Sequence, residues 1–199
     1  MGPMISTRSF STEAIKAFLI SQSKLDFTYA AVGATANVPP SDFNIDHSRI
    51  KLGKGERVFV AAKAALESWT HFRLGWLEAK SFESSLQVGG VVAIVGRSLG
   101  LWWLNACRIV YLVGDERAVV RFGFGYGTLP AHVETGEERF VVEWDHRDDC
   151  VWYDILAFSR PHGFLAHIGY PWLRTVQRRF AKDSMAAMGN AIWPQAKGR

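Results

Sequence analysis

The chain has 199 residues, of which 48% are apolar and 21% are charged, and its formal net charge is +4. This length suits one domain with a short extension, and the composition excludes a chain that is disordered throughout. No apolar run is long enough to span a bilayer, and no RNP, zinc-finger or phosphate-loop signature is present, so we expect a soluble cytoplasmic protein that binds no nucleic acid.

The N-terminal part predicts a short helix followed by irregular structure. Residues 12–22 carry Ile15, Phe18 and Leu19 at helical spacing, and Ser11 or Thr12 can cap this helix. We expect the helix to pack on the outside of the domain. Residues 26–42 contain a glycine and two prolines and predict a strand followed by a loop. Residues 1–43 are therefore interpreted as an extension that packs on the domain.

The central part predicts one strand, one helix and then six strands. The first strand covers residues 45–52, and the helix begins near Gly55 and Glu56 and continues to about Phe72. Several connections are too short for crossover helices, which predicts antiparallel pairing in a meander. The six strands are expected near residues 75–81, 88–97, 103–113, 118–127, 137–145 and 151–159.

The last element is a long amphipathic helix whose start is expected near Pro161 and Gly163. In this interpretation Ser159 is a helix cap and Pro161 lies in the first turn, which is favoured over a nucleophilic serine because no G-x-S-x-G motif surrounds it. A second face is basic and is expected to be solvated, with contact to an anionic membrane surface as the alternative. The basic face holds Arg174, Arg178, Arg179 and Lys182, and the apolar stripe holds Leu173, Val176, Phe180, Ser184, Ala187, Met188 and Ala191.

This order of elements predicts an α+β fold of the helix-grip type. A curved antiparallel sheet of seven strands would wrap around the C-terminal helix and bury its apolar stripe, while the first helix closes one end. The helix-grip domain would cover residues 44–193, with residues 194–199 as a tail.

Several segments resemble the protein family known as domain of unknown function 1990. The most specific are RFGFGYGTLPAHVETGEERF at residues 121–140 and VWYDILAFSRP at 151–161, with support from residues 53–59, 105–111 and 169–184. The family is similar to the START and birch-pollen-allergen-like superfamily. That resemblance implies a helix-grip fold and an apolar ligand between sheet and terminal helix, although some superfamily members are lyases or cyclases. It implies no catalytic residues.

Alternation of side chains along the strands gives the sharpest site prediction. Glu138 belongs to the apolar face of its strand and should point inward, whereas Glu137 should point to solvent. The preceding strand places Phe122, Phe124 and Tyr126 on its inner face. The opposite face carries glycines, which permit bending or close approach of another backbone, at positions 123, 125 and 127.

Arg108 lies within an otherwise uncharged strand, and a buried charge is costly unless it is paired. We expect Arg108 and Glu138 to face one cavity, with Tyr126 and His132 near its mouth. Two interpretations remain open: a buried ion pair that fixes strand register, or the polar end of an apolar pocket. The predicted ligand-binding residues are Arg108, Phe122, Phe124, Tyr126, Glu138 and Trp152.

The histidines are candidates for acid–base catalysis and for metal binding. His132 lies beside carboxylates, as acid–base catalysis requires, but a solvated loop has the same composition. His132 and Glu134 offer only two metal ligands, while His162 and His167 would lie on different helix faces, so no metal and no cofactor are expected. Cys107 and Cys150, three strands apart in a meander, are expected to be too far apart for a disulfide.

Three functions therefore remain. The favoured one is binding of a small apolar, aromatic or lipid-like ligand. The second is a metal-independent lyase or cyclase that uses Glu138 or His132 as its acid or base. The third is a filled core with a surface interaction role. The identity of the ligand and the oligomeric state are left open.

Overall fold

The computed structural model describes residues 4–83, 85–114, 119–162 and 170–193. The predicted order of elements is confirmed, with boundaries that differ by a few residues at most sites. The elements are β1 (Met4–Ser6), α1 (Thr12–Gln22), a 3-10 turn (Ala34–Ala36), β2 (Asn44–Lys54), α2 (Glu56–Glu67), a second 3-10 turn (Thr70–Phe72), β3 (Leu77–Lys80), β4 (Val91–Ser98), β5 (Leu101–Val113), β6 (Val119–Thr128), β7 (Glu134–Asp145), β8 (Cys150–Pro161) and α3 (Tyr170–Ile192).

The strands form one antiparallel sheet in the order β2-β8-β7-β6-β5-β4-β3. The sheet curls around α3, so the predicted helix-grip architecture is confirmed. The short strand β1, which the sequence did not indicate, pairs with β5. The meander places Cys107 and Cys150 on β5 and β8, and both thiols are buried and free.

The main core lies on the concave face of the sheet, beneath α2 and α3. Phe72, Phe124, Phe140 and Tyr153 are almost fully buried there and pack with the helices through Leu66 and Met188. Each such side chain contributes roughly 2 kcal/mol when it leaves water. The predicted stripe of α3 is buried at Leu173, Phe180, Ser184 and Met188. Val176 and Ala187 are half-buried, and Ala191 is exposed, so the stripe does not continue to that residue.

His71 is a polar residue inside this core. Aromatic rings surround it, with Phe72 at 4.8 Å and Phe140 at 4.7 Å between ring centroids. Neither ring nitrogen has a hydrogen-bond partner among the described residues. Burial lowers its pKa to about 3, so His71 packs as a neutral ring.

The convex face of the sheet is covered by the N-terminal residues. Helix α1 packs its Ile15, Phe18 and Leu19 against the outer side chains of β4 and β5, as expected for an external helix. Ser11 caps the helix by accepting a hydrogen bond from the backbone N–H of Ala14 at 3.2 Å. At the other end, Arg108 donates to carbonyl oxygens of Ser23 and Leu25, both at 2.8 Å.

Two local predictions were wrong. The segment after α1 forms no strand within residues 26–42, because its polar groups bond to side chains of β7 and its only regular element is a 3-10 turn. Pro161 does not begin the last helix: β8 continues through Ser159 to Pro161, and α3 is described only from Tyr170. Gly163, His167 and the predicted tail at 194–199 lie outside the described residues.

The glycines on the convex face of β6 make room for two tyrosine rings. A Cβ atom on Gly125 would lie 2.5 Å from the ring of Tyr111, and one on Gly127 would lie 2.0 Å from the Tyr29 hydroxyl oxygen. The close approach predicted for these glycines therefore involves side chains as well as backbone. Gly127 in particular leaves room for Tyr29 to reach Glu137. The Tyr29 hydroxyl donates a hydrogen bond to the Glu137 carboxylate at 2.7 Å.

We predict that Gly127→Ala destabilises the protein by about 1–3 kcal/mol, because the new methyl group must displace the Tyr29 hydroxyl. Urea unfolding measures this change. The matched control is Gly189→Ala in α3, where a Cβ meets no atom within 4 Å and the gain in helix propensity should stabilise by up to about 1 kcal/mol. Equal changes in the free energy of unfolding for the two substitutions would contradict the close packing of Tyr29 against Gly127.

Candidate ligand cavity

A cavity of about 740 Å³ separates the N-terminal half of α3 from the concave face of the sheet. Side chains from β2 to β8 and from α3 line it. Its lining is predominantly apolar, with a small set of polar groups on one side. The principal lining residues are Asp46, Phe72, Trp76, Ile94, Trp103, Asn105, Tyr126, His132, Glu134, Glu138, Ile155, Ala157, Ser159, Trp172, Leu173, Val176, Gln177, Phe180, Ala181 and Met185.

Tryptophan rings form the apolar side. Trp103 packs edge-on against Trp172 at 6.1 Å between ring centroids, and Trp76 lies 6.4 Å from Trp103. The indole N–H of Trp76 donates to Asp183 at 2.8 Å, and the Arg179 guanidinium covers its ring at 4.4 Å. These contacts hold Trp76, Trp103 and Trp172 together as a tryptophan wall between α3 and strands β4 and β5.

Glu138 faces the cavity from β7, as its strand parity predicted. It retains some accessible surface because the cavity lies in front of it. The hydroxyl of Tyr126 donates to its Oε2 at 2.9 Å. Burial raises the pKa of Glu138 to about 8, and the Tyr126 hydrogen bond only partly offsets this effect. The carboxyl group is thus poised to gain or lose a proton near neutral pH.

Glu134 is a second inward carboxyl group, which the sequence treated only as a weak metal ligand in a loop. Its Oε1 accepts hydrogen bonds from the Ser159 hydroxyl at 3.2 Å and from the Gln177 side-chain N–H at 2.6 Å. Burial raises its pKa to about 7. Strand β7 begins at Glu134, so the even parity that identified Glu138 would also have identified Glu134 had the strand been extended.

His132 lies near the two carboxyl groups. The backbone N–H of Glu134 donates to its Nδ1 at 3.0 Å. Burial lowers the pKa of His132 to about 4, so the ring is neutral at physiological pH. Its Nδ1 also lies 3.0 Å from the Glu134 carbonyl oxygen, so either tautomer of the ring can form one of these two hydrogen bonds.

Asn105 is a further polar residue of the cavity that sequence reasoning missed. It is 5% exposed, and its Oδ1 has no hydrogen-bond partner among the described residues. It lies on β5 between Trp103 and Cys107, which share its concave face. The alternation along β5 could have identified it as an inward polar group.

An ion pair anchors α3 to the edge strand at this end of the cavity. Arg174 donates to both carboxylate oxygens of Asp46 on β2, at 2.5 and 2.7 Å. Arg174 is therefore a bridge and not part of a free basic face. Arg178 and Lys182 are exposed and line the rim of the cavity.

Two predicted ligand-binding residues do not face the cavity. Arg108 points to the convex face, where it bonds the end of α1 and covers the ring of Phe27, so the expected pairing with Glu138 was wrong. Trp152 also points outward, and the Arg49 guanidinium lies 4.9 Å from its ring centroid. Both residues therefore make their contacts on the convex face of the sheet and not in the cavity.

The predicted inner aromatic residues are brought together only in part. Tyr126 lines the cavity, whereas Phe124 is fully buried beneath α2 and Phe122 packs against the same core with the Lys63 ammonium 4.8 Å from its ring. Parity therefore placed all three on the correct face. The predicted ligand contacts of Phe122 and Phe124 are replaced by core packing.

Glu137 is buried rather than solvated, which corrects the sequence prediction. It is 2% exposed, and it accepts hydrogen bonds from the Tyr29 hydroxyl, the backbone N–H groups of Gly33 and Thr35, and the Thr35 hydroxyl. The residues that cover it come from the segment between α1 and β2. Parity gave the right face, but it could not show that this face is covered.

Metal binding has no support within the part of the chain that the structure describes, where no cluster of three or more His, Cys, Asp or Glu side chains could hold an ion. Of the two remaining histidines considered for metal binding, His162 is exposed and His167 lies outside the described residues. Among the described helices, none combines the length and apolar character needed to cross a bilayer.

Two solved structures are similar to this chain, and the first, with a TM-score of 0.50, supports the fold. A hypothetical protein from Helicobacter pylori superposes with a TM-score of 0.50 at 10% identity, covering 82% of this chain and 94% of that protein. Human STARD10 has a TM-score of 0.47 at 9% identity, covering 93% of this chain and 80% of its own. Identities this low bear on the fold alone.

Comparison with protein sequences establishes the family. A UPF0548 protein of Dictyostelium discoideum is 41% identical over 160 residues, which cover 76% of this chain and 74% of the relative. A UPF0548 protein of Arabidopsis thaliana is 31% identical over 156 residues, which cover 77% and 75%. The model of the family described as domain of unknown function (DUF1990) matches residues 28–187. The chain therefore belongs to the DUF1990, or UPF0548, family.

Proposed function

We propose that this protein binds a small apolar, aromatic or lipid-like ligand in the cavity between the sheet and α3. The observation that carries the proposal is the cavity itself, whose volume of about 740 Å³ and largely apolar lining suit a small organic molecule. A few polar groups converge on one side, which is the arrangement that orients an otherwise apolar ligand. The cavity favours ligand binding over a filled core.

The rim of the cavity supports access from outside. Leu99 and Leu101 of the β4–β5 hairpin line the cavity and are 87% and 43% exposed, and Trp172 at the start of α3 is 41% exposed. Leu99 also adopts a left-handed backbone conformation with φ of 51°, which few non-glycine residues adopt. We place the ligand entrance between this hairpin and α3.

We predict that Ala181→Trp abolishes binding of apolar probes, because the indole would occupy space that the ligand needs. The measurement is fluorescence titration with Nile red, an uncharged apolar dye. The matched control is Ala186→Trp on the same helix, where the side chain is exposed and the dye should bind as in the wild type. Unchanged dye affinity in the Ala181 variant would contradict the cavity as binding site.

A second candidate function is a metal-independent lyase or cyclase. The observation that favours it is Glu138, a cavity carboxyl group whose pKa is raised to about 8, as a general acid needs. His132 is less suited to donate a proton, because it is neutral at physiological pH. For any substrate that the protein turns over, Glu138→Gln should retain binding and lose turnover, whereas a pure binding protein shows no turnover to lose.

The raised pKa of Glu138 predicts a particular dependence of stability on pH. The unfolded carboxyl group ionises near pH 4.5 and the folded one near pH 8. The unfolded state therefore releases its proton first, so Glu138 lowers the free energy of unfolding as pH rises through this window.

Glu138→Gln removes this term, and its free energy of unfolding should exceed that of the wild type by a few kcal/mol at pH 8 but not at pH 4.5. Urea unfolding at a series of pH values measures the difference. Parallel curves for the two proteins would show that Glu138 titrates as an ordinary exposed carboxyl group.

A further inference from the structure

We propose that the ligand of this cavity is an apolar amine, whose protonated nitrogen is held by one of the two cavity carboxyl groups, Glu138 or Glu134, while its apolar part packs on the tryptophan wall. The proposal rests on the ligand-binding function proposed above and names the chemical class of the ligand. It draws on three independent features: unpaired carboxyl groups, an unpartnered amide oxygen, and the engagement of the nearby cations elsewhere.

The first feature is that two buried carboxyl groups have no cationic partner among the described residues. Glu138 receives a hydrogen bond only from Tyr126, and Glu134 receives hydrogen bonds only from Ser159 and Gln177. All of these donors are neutral. Buried carboxyl groups without a cation remain protonated or recruit one, and a ligand can supply it.

The second feature is the set of acceptors that face the cavity without a donor. Tyr126 bonds Oε2 of Glu138, and both donors to Glu134 use its Oε1. One oxygen of each carboxyl group therefore has no partner in the described part of the protein. Asn105 lines the same cavity, and its Oδ1, which is buried behind the cavity surface, also has no partner among the described residues. An ammonium group offers up to three N–H donors and accepts nothing, which complements such a set.

The third feature is the disposition of the basic groups around the cavity. Arg174 is engaged by Asp46 and by Gln177, so its charge acts on Glu134 only at a distance. His132 is neutral because it is buried. Arg178 and Lys182 are exposed at the rim, where water screens them. In the described part of the chain, the other titratable groups near Glu138 are Asp46, Cys107, Tyr126, Glu134 and Tyr153, and none of these is a cation.

These features predict an order of affinity among ligands of equal length. A protonated amine can form charge-assisted hydrogen bonds to a carboxyl group that ionises on binding, whereas an alcohol can form only neutral hydrogen bonds. A carboxylate would bring a further negative charge against the two glutamates. Because Glu134 and Glu138 have raised pKa values, binding of an ammonium ion should release protons. Amine affinity should therefore rise from pH 6 to pH 8.

The test is calorimetric titration of the whole chain with decylamine, decanol and decanoic acid at pH 7.5. We expect decylamine to bind at least about tenfold more tightly than decanol, and decanoic acid to bind most weakly. Titration of decylamine in two buffers of different ionisation enthalpy should show net proton release.

Variants locate the preference within the protein. Glu134→Gln combined with Glu138→Gln should reduce amine affinity about tenfold or more and leave decanol affinity unchanged. Glu78→Gln, an exposed carboxyl group outside the cavity, should preserve the wild-type order. Thermal unfolding checks that each variant is folded, and the order of the three ligands in the wild type decides the proposal even if the double variant is not.

Three results would overturn the amine proposal. Decanol binding as tightly as decylamine, or decanoic acid binding more tightly, would refute the amine class while leaving the ligand-binding function intact. Retention of the amine preference in the folded double variant would refute the role of the two carboxyl groups. Failure of all three ligands to bind would overturn the ligand-binding function as well.

Discussion

The alternation of side chains along β7 places two consecutive glutamates on opposite faces of the sheet, and both are removed from bulk water. A buried carboxylate is costly unless other groups replace its hydration. Glu137 on the convex face receives hydrogen bonds from Tyr29, Gly33 and Thr35 of the N-terminal segment. Glu138 on the concave face receives one, from Tyr126. The same strand therefore carries two different carboxyl groups. Protein donors replace the hydration of Glu137, whereas Glu138 keeps an oxygen that accepts no hydrogen bond from the described residues.

The N-terminal segment and the ligand cavity depend on each other through this strand. Tyr29 reaches Glu137 only because Gly127 on the neighbouring strand has no side chain. The segment thus holds the outer face of β6 and β7 in place, and the opposite face of β7 presents Glu134 and Glu138 to the cavity. On the other side, the ion pair between Arg174 and Asp46 fixes α3 over the sheet. The cavity is therefore held in shape by the N-terminal segment behind the sheet and by the Arg174–Asp46 ion pair in front of it.

Local patterns in the sequence predicted the order of elements and the inner faces of β6 and β7. Helical spacing predicted α1 at residues 12–22, which the structure confirms, and parity placed Tyr126 and Glu138 inward. Both inferences depend only on the geometry of a single element. The prediction that Glu137 is exposed was wrong, because a segment distant in the chain covers the convex face of the sheet.

The same limit explains the errors at Arg108 and Trp152. A charge in an apolar strand was expected to seek a carboxyl group inside, but Arg108 instead bonds backbone carbonyl groups at the end of α1. Trp152 was predicted to bind the ligand, but it lies on the outer face, where the guanidinium of Arg49 covers its ring. Glu134 was missed because the strand was predicted to begin at residue 137, whereas β7 begins at Glu134.

The most direct test of the account is a crystal structure of the protein under xenon pressure, since xenon enters apolar cavities of this kind. The account predicts xenon sites between the tryptophan wall and α3, with Glu134 and Glu138 facing the same space. A structure in which α3 packs directly on the sheet, with no xenon there and both carboxyl groups turned to solvent or to cationic side chains, would contradict it.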